Sequence, residues 1–181
     1  MLIAPIDTPR LQLRILLPEH ASLLQQYLLR NREYLAPWEP LRDSAFFTIE
    51  QCQERLLSNF KLMHAGLGMF FAICDAEDMV GMCNFSNIVR GAFQACHLGY
   101  SIAKTHQGQG YMSEAATAGI DYMFAHAGLH RIMANYVPEN TRSAALLQRL
   151  GFEREGYAKS YLKINGVWRD HVLTARIHPQ Q

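Results

Sequence analysis

"HQGQGYMSEA", His106–Ala115, decides how this chain is read. Gly108 and Gly110 stand one residue apart and run into a segment patterned as a helix, Tyr111–Ala127, which Gly128 ends. A glycine-rich loop entering a helix offers several backbone N–H groups to one anion, and the positive end of the helix dipole adds to the attraction. The natural occupant of such a cradle is a phosphate or pyrophosphate. Two common phosphate-binding patterns do not fit. A P-loop needs Lys then Ser or Thr after its last glycine, where this chain has Tyr111 and Met112. A dinucleotide loop needs a third glycine where Ser113 stands, and an acidic residue closing a strand about 20 residues later, which is also missing. A tight turn without a ligand is the structural alternative.

On the N-terminal side, "LGMFFAICD", "DMVGMCNFSNIV" and "QACHLGYSIA" are β-rich runs separated by turn-forming segments at 75–78 and 90–93, which predicts an antiparallel meander. Before them, "RLQLRILL" (Arg10–Leu17) alternates as a strand ended by Pro18. Pro18–Leu35 and Thr48–His64 carry apolar residues at helical spacing, with Pro37, Trp38 and Pro40 in the intervening loop. On the C-terminal side, "HRIMANYV" reads as a strand, and "NTRSAALLQRLG" as a short helix closed by Gly151. "EGYAKSYLKINGVWRDHVLTARI" reads as a hairpin whose Asn165-Gly166 pair signals a type I′ turn. The class is α/β, with no repeat, linker or low-complexity segment.

A length of 181 residues fits one domain over residues 1–181. With 17 Lys+Arg against 16 Asp+Glu, the formal net charge of +1 gives no basic surface for nucleic acid. Cys52, Cys74, Cys83 and Cys96 stand singly, with no CxxC pair and no Cys/His cluster, so reduced buried thiols are expected and no structural metal. The opening "MLIAPIDTPR" has too short an apolar run for a signal peptide, and no stretch approaches a membrane span, so a cytoplasmic protein is expected.

"THQGQG" and "NTRSAALLQRLGF" together resemble the two signatures of the GNAT N-acetyltransferase superfamily: Q/R-x-x-G-x-G/A before a helix, then Asn followed by a short helix ending in Gly-Phe. Thr105 departs from the first signature, standing where the family has Gln or Arg. "PWEP", "NFSNIVRGAF", "ACHLGYSI", "RIMANYVPEN", "EGYAK" and "WRDHVLTA" extend the likeness over nearly the whole chain, to the Rim-type ribosomal-protein-alanine branch of that family. The resemblance implies a GNAT fold, with a mixed, mostly antiparallel central sheet flanked by helices. It implies acetyl-coenzyme A as donor and the N-terminal amine of a small-subunit ribosomal protein as acceptor, with the assembling small subunit as a further partner. The charge balance, cysteine spacing and lack of an apolar span give the matching expectations of no metal, no membrane and no sequence-specific contact with nucleic acid. Two alternatives stay open: the same catalyst acting on a polyamine, antibiotic or lysine, or an assembly factor that keeps the fold without catalysis.

The resemblance also assigns residues. Gln107, Gly108, Gln109, Gly110 and Tyr111 cradle the pyrophosphate, and Leu98, Gly99 and Tyr100 present backbone groups to the pantetheine amides. One of those N–H groups suits the thioester oxygen. Asn140 binds the pantetheine arm, or only caps its helix. Many family members have a tyrosine four residues before the closing Gly-Phe, where this chain has Leu147. The Rim-type alternative for meeting the sulfur is Ser143. His97 occupies the place of a base held by glutamate in Rim-type relatives, and histidine's reference pKa of ~6.5 leaves it mostly neutral near pH 7; alternatively it is only a strand residue facing the cleft, with backbone and water doing the work. Glu39 is the second candidate for handling the amine, with Trp38 as an apolar wall or as core. Asn84, Ser86 and Asn87 form a polar cluster assigned to the acceptor side, or a solvated strand end.

Overall fold

Pro18 cannot donate a backbone hydrogen bond, and it opens a single 3-10 turn, Pro18–His20, before helix α1, Ala21–Leu35. Residues 3–179 are described by the computed structural model; Met1 and Leu2 of the opening segment, and 180–181 at the other end, lie outside it. Ala21, Leu24, Tyr27, Leu28, Asn31 and Leu35 recur at helical spacing on one face of α1 and are buried. Thr48 caps α2, Ile49–His64, by accepting from the Gln51 N–H at 3.4 Å. Cys52 and Leu56 of α2 join the α1 residues in one core cluster.

Among the described residues the sheet has eight strands in the order β1-β2-β3-β4-β5-β6-β8-β7. The expected meander is present as β3 (Met69–Asp75), β4 (Asp78–Val89) and β5 (Ala95–Ile102), paired antiparallel. The strand expected over Arg10–Leu17 is only Gln12–Arg14 (β2), because a short hairpin with β1 (Ile6–Asp7) occupies its start. Thr8 closes that hairpin, its N–H donating to the Leu11 carbonyl at 2.9 Å. The C-terminal hairpin joins β7 (Glu153–Ile164) to β8 (Val167–Ile177). Asn165 and Gly166 have φ of 44° and 80°, as a type I′ turn requires.

Helix α3, Tyr111–Ala127, crosses from β5 to β6 (Arg131–Tyr136), and β5 and β6 are parallel. Gly128, at φ 59°, ends α3 in the left-handed conformation. Gly119 lets α3 lie close to β4, since a Cβ there would sit 3.0 Å from the Phe85 ring. Helix α4, Thr141–Arg149, lies with α3 on one face of the sheet, where Phe85, Leu98, Ile120, Ile132 and Leu147 share a core. Helices α1 and α2 cover the opposite face. All four cysteines are free and buried, and burial pushes the Cys83 and Cys96 thiols up to about 12. No helix of the described residues is long and apolar enough to cross a membrane.

Two polar contacts fasten α1 to the far end of β5. The Tyr27 hydroxyl lies 2.8 Å from Ser101 Oγ, and Asn31 Oδ1 accepts from the Lys104 N–H at 3.1 Å. They fix the point where the chain leaves the sheet for the glycine loop.

Candidate active site

The pairing of β5 with β6 runs through Ala95–Arg131, Cys96–Ile132 and His97–Met133 and then stops. From there β5 keeps β4 on one side, with Leu98, Gly99 and Tyr100 opposite Phe85, Asn84 and Cys83. Strand β6 instead stays with β8, out to Tyr136 opposite Val172. The edge of Leu98–Tyr100 that faces β6 therefore has no strand partner, and an extended ligand with amide groups can pair with it. Across the gap, the Tyr100 hydroxyl meets Ser143 Oγ at 2.6 Å. Burial pushes the Tyr100 phenol up to about 12, with the bond to Ser143 offsetting part of the effect, so it stays protonated at neutral pH. Asn140 Oδ1 accepts the Ser143 N–H at 3.1 Å and caps α4.

The loop after β5 begins with a 3-10 turn, Lys104–His106, and passes through Gly108 at φ 71° and Gly110 at φ 80° into α3. Both conformations lie in the region open to glycine. The first intrahelical bond of α3 is donated by the Glu114 N–H to the Gly110 carbonyl, so the N–H groups just before it are free for an anion. A Cβ at Gly108 would meet nothing within 4 Å, which leaves that side of the loop open to a ligand.

The loop is braced from outside. Arg10 donates to the Gln109 carbonyl at 2.8 Å and to Glu114 Oε2 at 2.7 Å, and its guanidinium lies 4.5 Å from the centre of the Tyr111 ring. Glu114 also accepts from the Thr8 hydroxyl at 2.6 Å. Burial favours the protonated acid, but the bonds from Thr8 and Arg10 outweigh it and hold Glu114 below the usual carboxylate range. Arg142 of α4 donates to the Gln107 side chain, joining the N-termini of α3 and α4. Thr105, which departs from the signature, bonds His106 Nδ1 at 2.9 Å, within its own turn.

The remaining candidates lie on the opposite face. Asn84 and Ser86 are opposite Gly99 and His97. They alternate with Cys83, Phe85 and Leu98, which enter the α3 core, so these four line the face that α1 and α2 cover. His97 is half-buried, its Nδ1 has no hydrogen-bond partner, and burial lowers its pKa. A cavity of about 380 Å³ on this face is bordered by Glu39, Asn84, Tyr100 and Ser101. The Glu39 carbonyl accepts from the Asn165 N–H at 2.8 Å, and burial raises the Glu39 carboxyl, with Arg42 and Arg55 opposing the shift. Trp38, His97, Ser86 and Asn87 do not border this cavity. Asn87 is exposed in a bulge with φ 53°, which gives it a backbone role, and Trp38 is 37% exposed rather than core. Leu147, at the position many relatives give to tyrosine, is 1% exposed inside the core.

The family model for the acetyltransferase (GNAT) domain matches residues 10–153. The chain belongs to the GNAT acetyltransferase family. It is 48% identical over 176 residues to the ribosomal protein uS5-alanine N-acetyltransferase of Escherichia coli K12, covering 96% of this chain and 91% of that protein. Among solved structures, the ribosomal-protein-S5-alanine acetyltransferase of Vibrio fischeri superposes with a TM-score of 0.94 at 42% identity, over 98% of both chains. Mycobacterium smegmatis RimJ in complex with CoA-disulfide superposes with a TM-score of 0.90 at 31% identity, over 98% of this chain and 89% of that one. As a GNAT acetyltransferase, the chain takes acetyl-coenzyme A as its donor. The glycine loop, the open side of Gly108 and the unpartnered edge of β5 suit its pyrophosphate and its amide-bearing arm. The described residues contain no group of three or more His, Cys, Asp or Glu placed to hold a metal ion.

Spacing in the sequence marks Tyr100 only for its backbone and gives no sign of its side-chain role or of the Arg10–Glu114 brace. Gly110→Val forces a branched side chain into a left-handed conformation, 3.4 Å from the Arg10 guanidinium at its Cβ alone. Titration calorimetry with acetyl-coenzyme A is expected to show affinity reduced about tenfold or more in a folded protein. Unchanged affinity contradicts this loop as the pyrophosphate site.

Proposed function

We propose that this chain, as one acetyltransferase domain over residues 1–181, transfers acetyl from acetyl-coenzyme A to the α-amine of the N-terminal alanine of ribosomal protein uS5, in the cytoplasm. The observation that carries the acceptor is the 48% identity to a uS5-alanine N-acetyltransferase over 96% of the chain. The geometry supports the same chemistry. An α-amine has a reference pKa near ~8 against ~10.4 for a lysine side chain, so at neutral pH it needs little help to become a nucleophile.

Four tasks fall to the residues described. The N–H groups at Gly108–Tyr111 hold the pyrophosphate, and the free edge of β5 aligns the thioester and supplies an N–H for its carbonyl oxygen. His97, kept neutral by its half-buried site, accepts the proton of the amine through water, with Glu39 lining the acceptor cavity. Ser143, backed by the protonated Tyr100 phenol, donates a hydrogen bond to the departing thiolate. A thiol with a reference pKa of ~8.5 is a good enough leaving group that a paired hydroxyl suffices.

Mass spectrometry of uS5 after incubation with the enzyme and acetyl-coenzyme A is expected to show one acetyl group on the N-terminal alanine. Ser143→Ala and Tyr100→Phe are each expected to lower kcat about tenfold or more, with coenzyme affinity within about threefold of wild type, because the bond strengthens as charge develops on sulfur. Full turnover in both variants contradicts this role.

As a base His97 must be neutral, so activity rises with pH through its pKa. Burial lowers that pKa, so the acid limb lies below 6.5. His97→Gln is expected to remove the limb. Rate against pH with two acceptor peptides of different amine pKa checks this: a limb that persists in His97→Gln, or moves with the peptide, belongs to the substrate.

A further inference from the structure

The charged side chains bordering the acceptor cavity are Glu39, Arg42 and Arg55, two cations against one carboxylate. Both guanidiniums lie on the ring of Phe46, at 4.2 Å for Arg42 and 3.7 Å for Arg55, and Arg55 also donates to the Phe46 carbonyl at 2.9 Å. None of the ion pairs among the described residues involves either arginine. The neighbouring Asp43 is engaged elsewhere, its Oδ1 accepting from the Phe46 N–H at 3.0 Å. Two like charges are thus held against one ring, Arg55 half-buried and Arg42 exposed at the rim, and a carboxylate fits them with paired hydrogen bonds. No residue of the glycine loop borders this cavity, so the arginines are not part of the pyrophosphate cradle.

We propose that Arg42 and Arg55 are specificity-determining residues that read a carboxylate side chain near the start of the acceptor polypeptide, while its N-terminal amine lies toward Tyr100 and Asn84. This rests on the reading of the chain as an N-terminal α-amine acetyltransferase. The two ends of the cavity divide the work. Asn84, Tyr100 and Ser101 border it on the sheet side, next to the gap that receives the donor, and the arginines border it on the side of α2 and the preceding loop. A basic residue near the start of the acceptor meets repulsion there, so the device also rejects.

The test uses short peptides that begin with alanine and carry Glu, Gln or Lys at one position, scanned from the second residue to the fifth. At one position the Glu peptide is expected to exceed its Gln counterpart about tenfold in kcat/KM, with Lys lowest. Arg42→Glu, at an exposed side chain whose loss leaves the core intact, is expected to invert the order and favour Lys. Arg55→Gln is expected to shrink the preference for Glu, with thermal melting confirming the fold. Equal rates for Glu and Gln at every position overturn the proposal, and so does a preference for Glu that survives Arg42→Glu. In both cases the peptides are still acetylated and the function stands. Acetylation of no peptide and no uS5 overturns the function itself, and the proposal with it.

Discussion

Everything at the site depends on β5 and β6 parting after three residue pairs. Each strand stays with its antiparallel neighbour, β5 with β4 and β6 with β8, and the parallel contact between them is given up. A row of backbone groups in the middle of the sheet is left without a strand partner, and an amide-bearing ligand can satisfy them as a strand would. The parting also lets α4 bring Ser143 to the Tyr100 hydroxyl, which continued pairing would cover. The crossover through α3 makes the arrangement possible, since a parallel neighbour needs a long connection, and it sets the N-terminus of that helix beside the gap, where helix N–H groups suit an anion.

The surroundings of the gap are held by polar contacts between distant segments. Tyr27 and Asn31 tie α1 to the end of β5, and Arg142 ties α4 to the loop. Arg10 and Glu114 close the outside of the loop, joining a residue of the first hairpin to the first turn of α3. With its side chain 44% exposed, Arg10 contributes little to overall stability through this pair. Its value is geometric: the guanidinium holds the Gln109 carbonyl, next to Gly110, in one position. The two faces of the sheet then differ: α3 and α4 pack on one, and the cavity bordered by Glu39, Asn84 and Ser101 lies on the other, under α1 and α2.

What the sequence made legible was local. The glycine loop entering α3, the Asn165-Gly166 turn, the β3–β5 meander and the capping Asn140 each announce themselves within a few residues, because backbone conformation there is set by neighbours in the chain. Tyr100 and Ser143 are 43 residues apart, and Arg10 and Glu114 are 104 apart, so no spacing pattern marks either pair. Arg10–Leu17 alternates over most of its length, but the β1 hairpin and the pairing with β3 leave only Gln12–Arg14 as strand. Acceptor-side residues were the least legible. Glu39, Arg42 and Arg55 come together only when the loop after α1 folds over α2.

Hydrogen–deuterium exchange with and without acetyl-coenzyme A tests most directly whether the parted strands and the glycine loop hold the donor. The account predicts slowed amide exchange over 98–102 and 107–113 on binding, with β8 unchanged. Protection elsewhere, with those two segments exchanging at their free rates, would contradict it.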